Sequence, residues 1–97
     1  MYSLVFKPEV YDDIKIAYDW YEEQRIGLGE DFLLTLEASY AQISRMPKAY
    51  QAIYGTVRRK LTSRFPYGIF FVIKDTQLII LAIMHTKRNP SDWTDRV

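Results

Sequence analysis

Two consecutive runs, Tyr67–Lys74 and Gln77–His85, are apolar at nearly every position, and only Asp75-Thr76 separates them. A two-residue link between β-favouring runs predicts an antiparallel hairpin with a tight turn. Side chains of an extended chain alternate between faces, so Ile69, Phe71 and Ile73 share one face while Phe70 and Val72 take the other. In the second run Leu78, Ile80, Ala82 and Met84 oppose Ile79, Leu81 and Ile83. Both faces of this hairpin are apolar, so both need a cover. At roughly 25 cal/mol per Å², leaving a few hundred Å² of it wet forgoes several kcal/mol, comparable with the whole stability of a small domain.

The chain has 97 residues, which predicts one domain over residues 1–97. At 48% hydrophobic and 15% aromatic it is neither disordered nor of low complexity. Residues 2–6 favour a strand closed by Lys7-Pro8, and Pro suits the first turn of a helix because its missing N–H needs no partner there. Tyr11, Ile14, Tyr18 and Tyr21 then recur at helical steps, with Asp12, Lys15, Asp19, Glu22 and Glu23 between them. Gly27-Leu28-Gly29 ends that helix, and a second begins at Glu30 with Phe32, Leu33, Leu36, Tyr40, Ile43 and Met46 on one stripe, stopped by Pro47. This is an αα-hairpin.

Residues 48–55 read as a loop and 56–63 as a strand ahead of the apolar hairpin. The predicted fold is α+β with the order β-α-α-β-β-β, a helical hairpin packed on a small, mainly antiparallel sheet. Two helices cover one sheet face. For the other, three covers are open: the tail after His85 folding back with Trp93 as lid, a homodimer, or a separate protein.

Charge excludes some partners and leaves others. Thirteen Lys+Arg against 12 Asp+Glu give a net charge of +1, too little for a polyanion binder as a whole. The balance nevertheless divides along the chain: helix one is acidic, whereas Arg58, Arg59, Lys60, Arg64, Lys87, Arg88 and Arg96 gather late. The apolar run 78–84 is far below the roughly 18 residues of a membrane span. With zero cysteines and no secretory pattern in Met1-Tyr2-Ser3-Leu4, the expected location is cytoplasmic.

The candidate chemistry rests on few residues. Arg59 shares strand parity with Val57 and Leu61, so it points with apolar neighbours, either snorkelling at a sheet margin or clamping an anion; Arg58 and Lys60 read as solvated. His85, the only histidine, ends the last strand beside the basic tail. Its imidazole either moves a proton on a phosphodiester or is bonded structurally to backbone. In-line cleavage usually needs two proton-transfer groups, and no following Tyr or nearby Glu supplies the second. One histidine without cysteine predicts no metal site, and no glycine-rich phosphate loop predicts a cofactor.

Several segments, in order, resemble one family: Trp20-Tyr21-Glu22-Glu23-Gln24, Gly27-Leu28-Gly29-Glu30-Asp31-Phe32, Pro47-Lys48-Ala49-Tyr50, Arg58-Arg59, Phe65-Pro66-Tyr67-Gly68-Ile69, and 85–93, His-Thr-Lys-Arg-Asn-Pro-Ser-Asp-Trp. Together they resemble the RelE/ParE superfamily of type II toxin–antitoxin toxins, nearest its ParE-like, plasmid-stabilisation branch. The resemblance implies the same β-α-α-β-β-β fold and a cognate antitoxin that covers apolar surface. For ParE-like members it implies DNA gyrase as target and no catalytic site. For RelE-like members it implies the ribosome and messenger RNA, with Arg59 and Arg64 holding the phosphate, Arg88 steadying charge and His85 moving a proton. The low net charge and the missing terminal Tyr favour the gyrase reading. A third reading is a non-toxic interaction module of the same fold.

Overall fold

A computed structural model of the chain describes residues 2–97. The strand β1 (Ser3–Phe6) leads into helix α1 (Pro8–Gln24), and α2 (Leu28–Arg45) turns back on it. Four strands follow: β2 (Ala52–Tyr54), β3 (Val57–Leu61), β4 (Tyr67–Lys74) and β5 (Gln77–His85). The sheet order is β1-β5-β4-β3-β2, with β1 parallel to β5 and every other pair antiparallel. The parallel pair is the consequence of the helical crossover, which returns the chain to the far edge of the hairpin.

The expected α+β plan therefore holds, with one strand more than the sequence shows. β2 falls inside the predicted loop, and all three of its residues are exposed, so it carries no alternation to read. The second helix begins at Leu28, two residues before its expected start. Gly27, at φ +92°, makes the turn, and its left-handed backbone is one that glycine adopts without steric cost. Glu22 then reaches across to accept the N–H groups of Gly27 and Gly29 at 3.0 Å each. A carboxylate from the preceding helix thus satisfies donors that no residue of the turn itself caps, and its charge suits the positive helix end.

The helices bury one sheet face. Val10, Ala17 and Tyr21 of α1 and Phe32, Leu36 and Ile43 of α2 pack on Ile69, Phe71, Leu78, Ile80 and Ile83. Aromatic edges knit this layer: Phe32 meets Phe65 at 5.4 Å and Tyr67 at 5.0 Å between ring centres. Arg58 is not merely solvated, because its guanidinium donates to the carbonyls of Lys48 and Tyr50, at 3.2 and 2.6 Å.

The far face departs from simple alternation. Phe70 pairs with Ala82 but Phe71 pairs with Ile80, so Leu81 is an extra residue, a β-bulge in β5. The bulge returns Leu81 and Ala82 to the same side: both pack with Val57, Phe70 and Met84, while Ile83 rejoins the helix side. Strict alternation had grouped Ala82 and Met84 with Leu78 and Ile80, and the bulge is the physical reason this fails.

Of the three covers open for this face, the tail provides one. Trp93 is 2% exposed and lies 4.4 Å from the Phe70 ring centre. The chain end is fastened by Arg96, which donates to both carboxylate oxygens of Asp13, at 2.7 and 3.2 Å, and to the Leu81 carbonyl at 3.1 Å. Asp13 in turn accepts the Ile83 N–H at 3.1 Å. β1 pairs with β5 only as far as Phe6↔Ile80, so this ion pair serves the stretch of β5 edge that β1 leaves open. It meets the requirement that enclosed backbone groups find partners.

Candidate functional site

The end of β5 brings three of the four candidate residues together. Arg59, His85 and Arg88 line a 210 Å³ cleft whose floor is Gly68, Phe70 and Trp93. β3 presents Arg59 to the far face, as its parity with buried Val57 requires. Its stem crosses Gly68 so closely that a Cβ there would meet Arg59 Cγ and Cδ at 3.3 Å. Glycine at position 68 is what lets the arginine lie flat on the sheet.

The charges around the cleft are unequal in availability. Arg88 Nε donates to Asp92 at 3.0 Å, an exposed pair that neutralises much of its local field. Arg64 stands apart: its guanidinium lies 3.5 Å from Asp31 and over the Phe65 ring, on the helix side of the sheet. Arg59 belongs to none of the ion pairs among the described residues. The cationic site is thus one free guanidinium beside one neutralised one, and Arg64 is not part of it.

His85 is half-buried. Its Nδ1 accepts the Lys87 N–H at 3.1 Å, the backbone bond weighed as its structural role. This bond fixes the ring and leaves Nε2 as the only nitrogen free for other partners. Opposite it on β4 stands Tyr67, edge-on at 5.4 Å between ring centres. Burial pushes the Tyr67 hydroxyl above its ordinary value, nearby Tyr21 adds to this, and Arg88 partly offsets it. Near neutral pH this group is therefore a proton donor and not a base.

Tyr67 is the neighbour that sequence reasoning missed, and the bulge is the cause. The tight turn sets Lys74 opposite Gln77, a register that would place Tyr67 opposite Met84; the extra residue at Leu81 moves His85 there instead. Nothing in a single sequence announces that bulge.

Among the described residues no cluster of three or more His, Cys, Asp or Glu is placed to hold a metal ion. No helix is long and apolar enough to cross a membrane.

A small mixed sheet with a helical hairpin on one face and the tail on the other makes this a two-layer α+β fold. Residues 4–90 match the family described as ParE toxin of type II toxin-antitoxin system, parDE, and the chain belongs to that family. In fold it is similar to a chain of the chromosomal ParDE TA system from P. aeruginosa, with a TM-score of 0.78 over 88% of this chain and 96% of that one, at 18% identity. No curated protein matches the chain by sequence.

Proposed function

We propose that this chain is a growth-inhibiting toxin that acts by binding DNA gyrase, without a catalytic site of its own, and is held inactive by a cognate antitoxin. The observation that carries this reading is the poverty of the cleft in free positive charge. Asp92 occupies Arg88, Asp31 occupies Arg64 on the other side of the sheet, and only Arg59 is left. Gripping a structured RNA draws on many phosphate contacts, each from an available cation. The adjoining cleft carries Glu9 and Asp12, outside the ion pairs among the described residues, and their charge opposes a polyanion further. A protein target makes no such demand.

Purified protein at micromolar excess is expected to inhibit gyrase supercoiling and to stabilise cleaved DNA. Unaltered supercoiling and cleavage would remove gyrase as the target.

One observation favours a second reading, a ribosome-dependent endoribonuclease. Tyr67 beside His85 offers the second proton-transfer group that the linear sequence lacks. Primer extension on ribosome-bound messages decides it: cuts that vanish in both His85→Ala and Tyr67→Phe support cleavage by this pair, identical cuts from wild type and His85→Ala remove His85 from the chemistry, and no cuts from the wild type dismiss the reading.

A further inference from the structure

Charge is laid out unevenly along the chain. Residues 38–74 carry seven Lys+Arg and no Asp or Glu, so the remaining residues, with six against 12, are acidic. Folding draws the two parts towards opposite edges of the sheet: acidic α1 packs beside β5, whereas the basic segment ends in β3 and the edge strand β2. At that edge three cations gather around Tyr50. Arg58 donates through Nη1 to the carbonyls of Lys48 and Tyr50, and the Lys60 ammonium lies 5.4 Å from the centre of the Tyr50 ring. Lys48 and Arg58 line an open 370 Å³ cleft with Ala52, Gly55, Thr56 and Ile73. Arg45, the last residue of α2, stands three positions before Lys48.

Arg45, Lys48, Arg58 and Lys60 join no ion pair among the described residues, and carbonyl bonds orient the Arg58 fork without neutralising it. Arg58 and Lys60 have the opposite strand parity to Arg59 and buried Val57, which sets this patch on the helix side, away from the cleft of Arg59 and His85. Two positions apart on one strand, they stand about 6.6 Å apart, close to twice the rise of about 3.4 Å per phosphate in one DNA strand. The only large apolar side chain in the cleft is half-buried Ile73. Protein interfaces centre on buried apolar anchors, whereas DNA interfaces are more polar and far more positive. The Tyr50 ring lies under Lys60 and meets Phe71 edge-on at 6.1 Å, so it offers no platform on which an unpaired base would stack. These features favour a duplex.

We infer that this patch grips the phosphate backbone of duplex DNA, with Lys48, Arg58 and Lys60 as its contacts and Arg45 at its margin. Resting on the gyrase reading, the duplex is the DNA segment that gyrase holds. The acidic edge at α1 turns away from the phosphates, so the uneven charge orients the protein as it approaches. Phosphate contacts fix position and carry no sequence information, so the grip is independent of base sequence.

The test titrates the whole protein onto a labelled DNA duplex of about 20 base pairs by fluorescence anisotropy, at about 50 to 200 mM salt. The logarithm of affinity is expected to fall against that of salt with a slope of about −3, as three neutralised phosphates imply. Lys48→Gln with Lys60→Gln should cut the slope by about 2 and weaken low-salt binding by about tenfold or more. Arg59→Gln with Arg88→Gln, an equal loss of charge on the far face, should leave the slope unchanged. An equal loss from the far-face pair, a slope unmoved by the lysine pair, tighter binding of an RNA duplex, or equal binding of polyglutamate overturns the proposal. In gyrase cleavage assays the lysine double variant should need about tenfold or more protein to stabilise cleaved DNA. Equal potency overturns the assignment of the duplex to gyrase, whereas no effect of the wild type on gyrase sinks that target and leaves the anisotropy to decide the patch.

Discussion

The two faces of the sheet are buried by opposite means. On the helix side, two long elements press a dozen enclosed residues together, with Tyr21 and Phe32 each edge-on to Phe65 and Tyr67. On the far side a tail without an α-helix lays one tryptophan on Phe70 and is fastened at its end by one ion pair. The first cover is continuous with folding itself. The second is a strap, whose stability is set by few contacts and whose ordering entropy is recovered whenever it opens. The difference reaches the candidate site because the strap carries Arg88 and Trp93, which both line the cleft.

The largest expected effect lies on the helix side. Phe32 is fully enclosed by aromatic neighbours, and Phe32→Ala should cost about 3–5 kcal/mol, read from the denaturant midpoint. A loss under 1 kcal/mol would mean the helix layer is as loosely held as the strap. Trp93→Ala should cost less, about 2–3 kcal/mol, even though tryptophan is the larger side chain, because the released tail regains chain entropy. The loss should be local as well. Hydrogen exchange should speed in residues 86–97 while α1 and β4 amides keep their protection. Equal acceleration throughout would show that the two faces form one cooperative unit.

Arg96→Gln tests the fastening alone. Side-chain exposures of 13% for Arg96 and 7% for Asp13 make this an enclosed pair, and hydrogen bonding to Asp13 pushes the Arg96 guanidinium higher still in pKa. Asp13 keeps its bond from the Ile83 N–H, so the expected loss is moderate, about 1–2 kcal/mol. In a Trp20→Phe background, where Trp93 is the remaining tryptophan, acrylamide should quench its emission more strongly in the Arg96 variant. Undiminished shielding of Trp93 would show that tryptophan packing holds the strap without the ion pair.

The sequence exposed the two faces unequally too. Helix periodicity, Pro8, Gly27 and the Asp75-Thr76 turn speak through local chemistry, so the αα-hairpin and the bounds of β4 and β5 were legible. The two-sided apolarity of β4 and β5 announced a second cover, and Trp93 was recognisable as a lid. The Leu81 bulge was not, since a bulge is a tertiary compromise without a residue signature here. With it went the facing of Ala82 and Met84, the register that pairs Tyr67 with His85, and the partnership of Asp13 with Arg96 across 83 positions. β2 was silent for another reason, being an exposed edge strand held by backbone bonds. Of the four candidate residues, the fold brings Arg59, His85 and Arg88 to one cleft and sets Arg64 apart, because its partner Asp31 lies on α2.

The smallest expected effect has the opposite sign and again separates the faces. Tyr40 packs edge-on to Phe6 at 5.2 Å on the helix side, and its hydroxyl is enclosed without a hydrogen-bond partner among the described residues. An unsatisfied buried hydroxyl costs about 1–3 kcal/mol in desolvation, so Tyr40→Phe should stabilise the fold by about 1 kcal/mol. Burial pushes this hydroxyl well above the ordinary tyrosine value of 10.0, with nearby Glu37 adding to the shift. Because the folded value is the higher one, the stability tied to neutral Tyr40 is complete below about pH 10 and is lost as pH rises beyond it. Tyr40→Phe should therefore also move alkaline unfolding to higher pH. Destabilisation by Tyr40→Phe, with an unmoved alkaline transition, would mean that the hydroxyl finds a partner in solution and that the helix side is less dry than its packing implies.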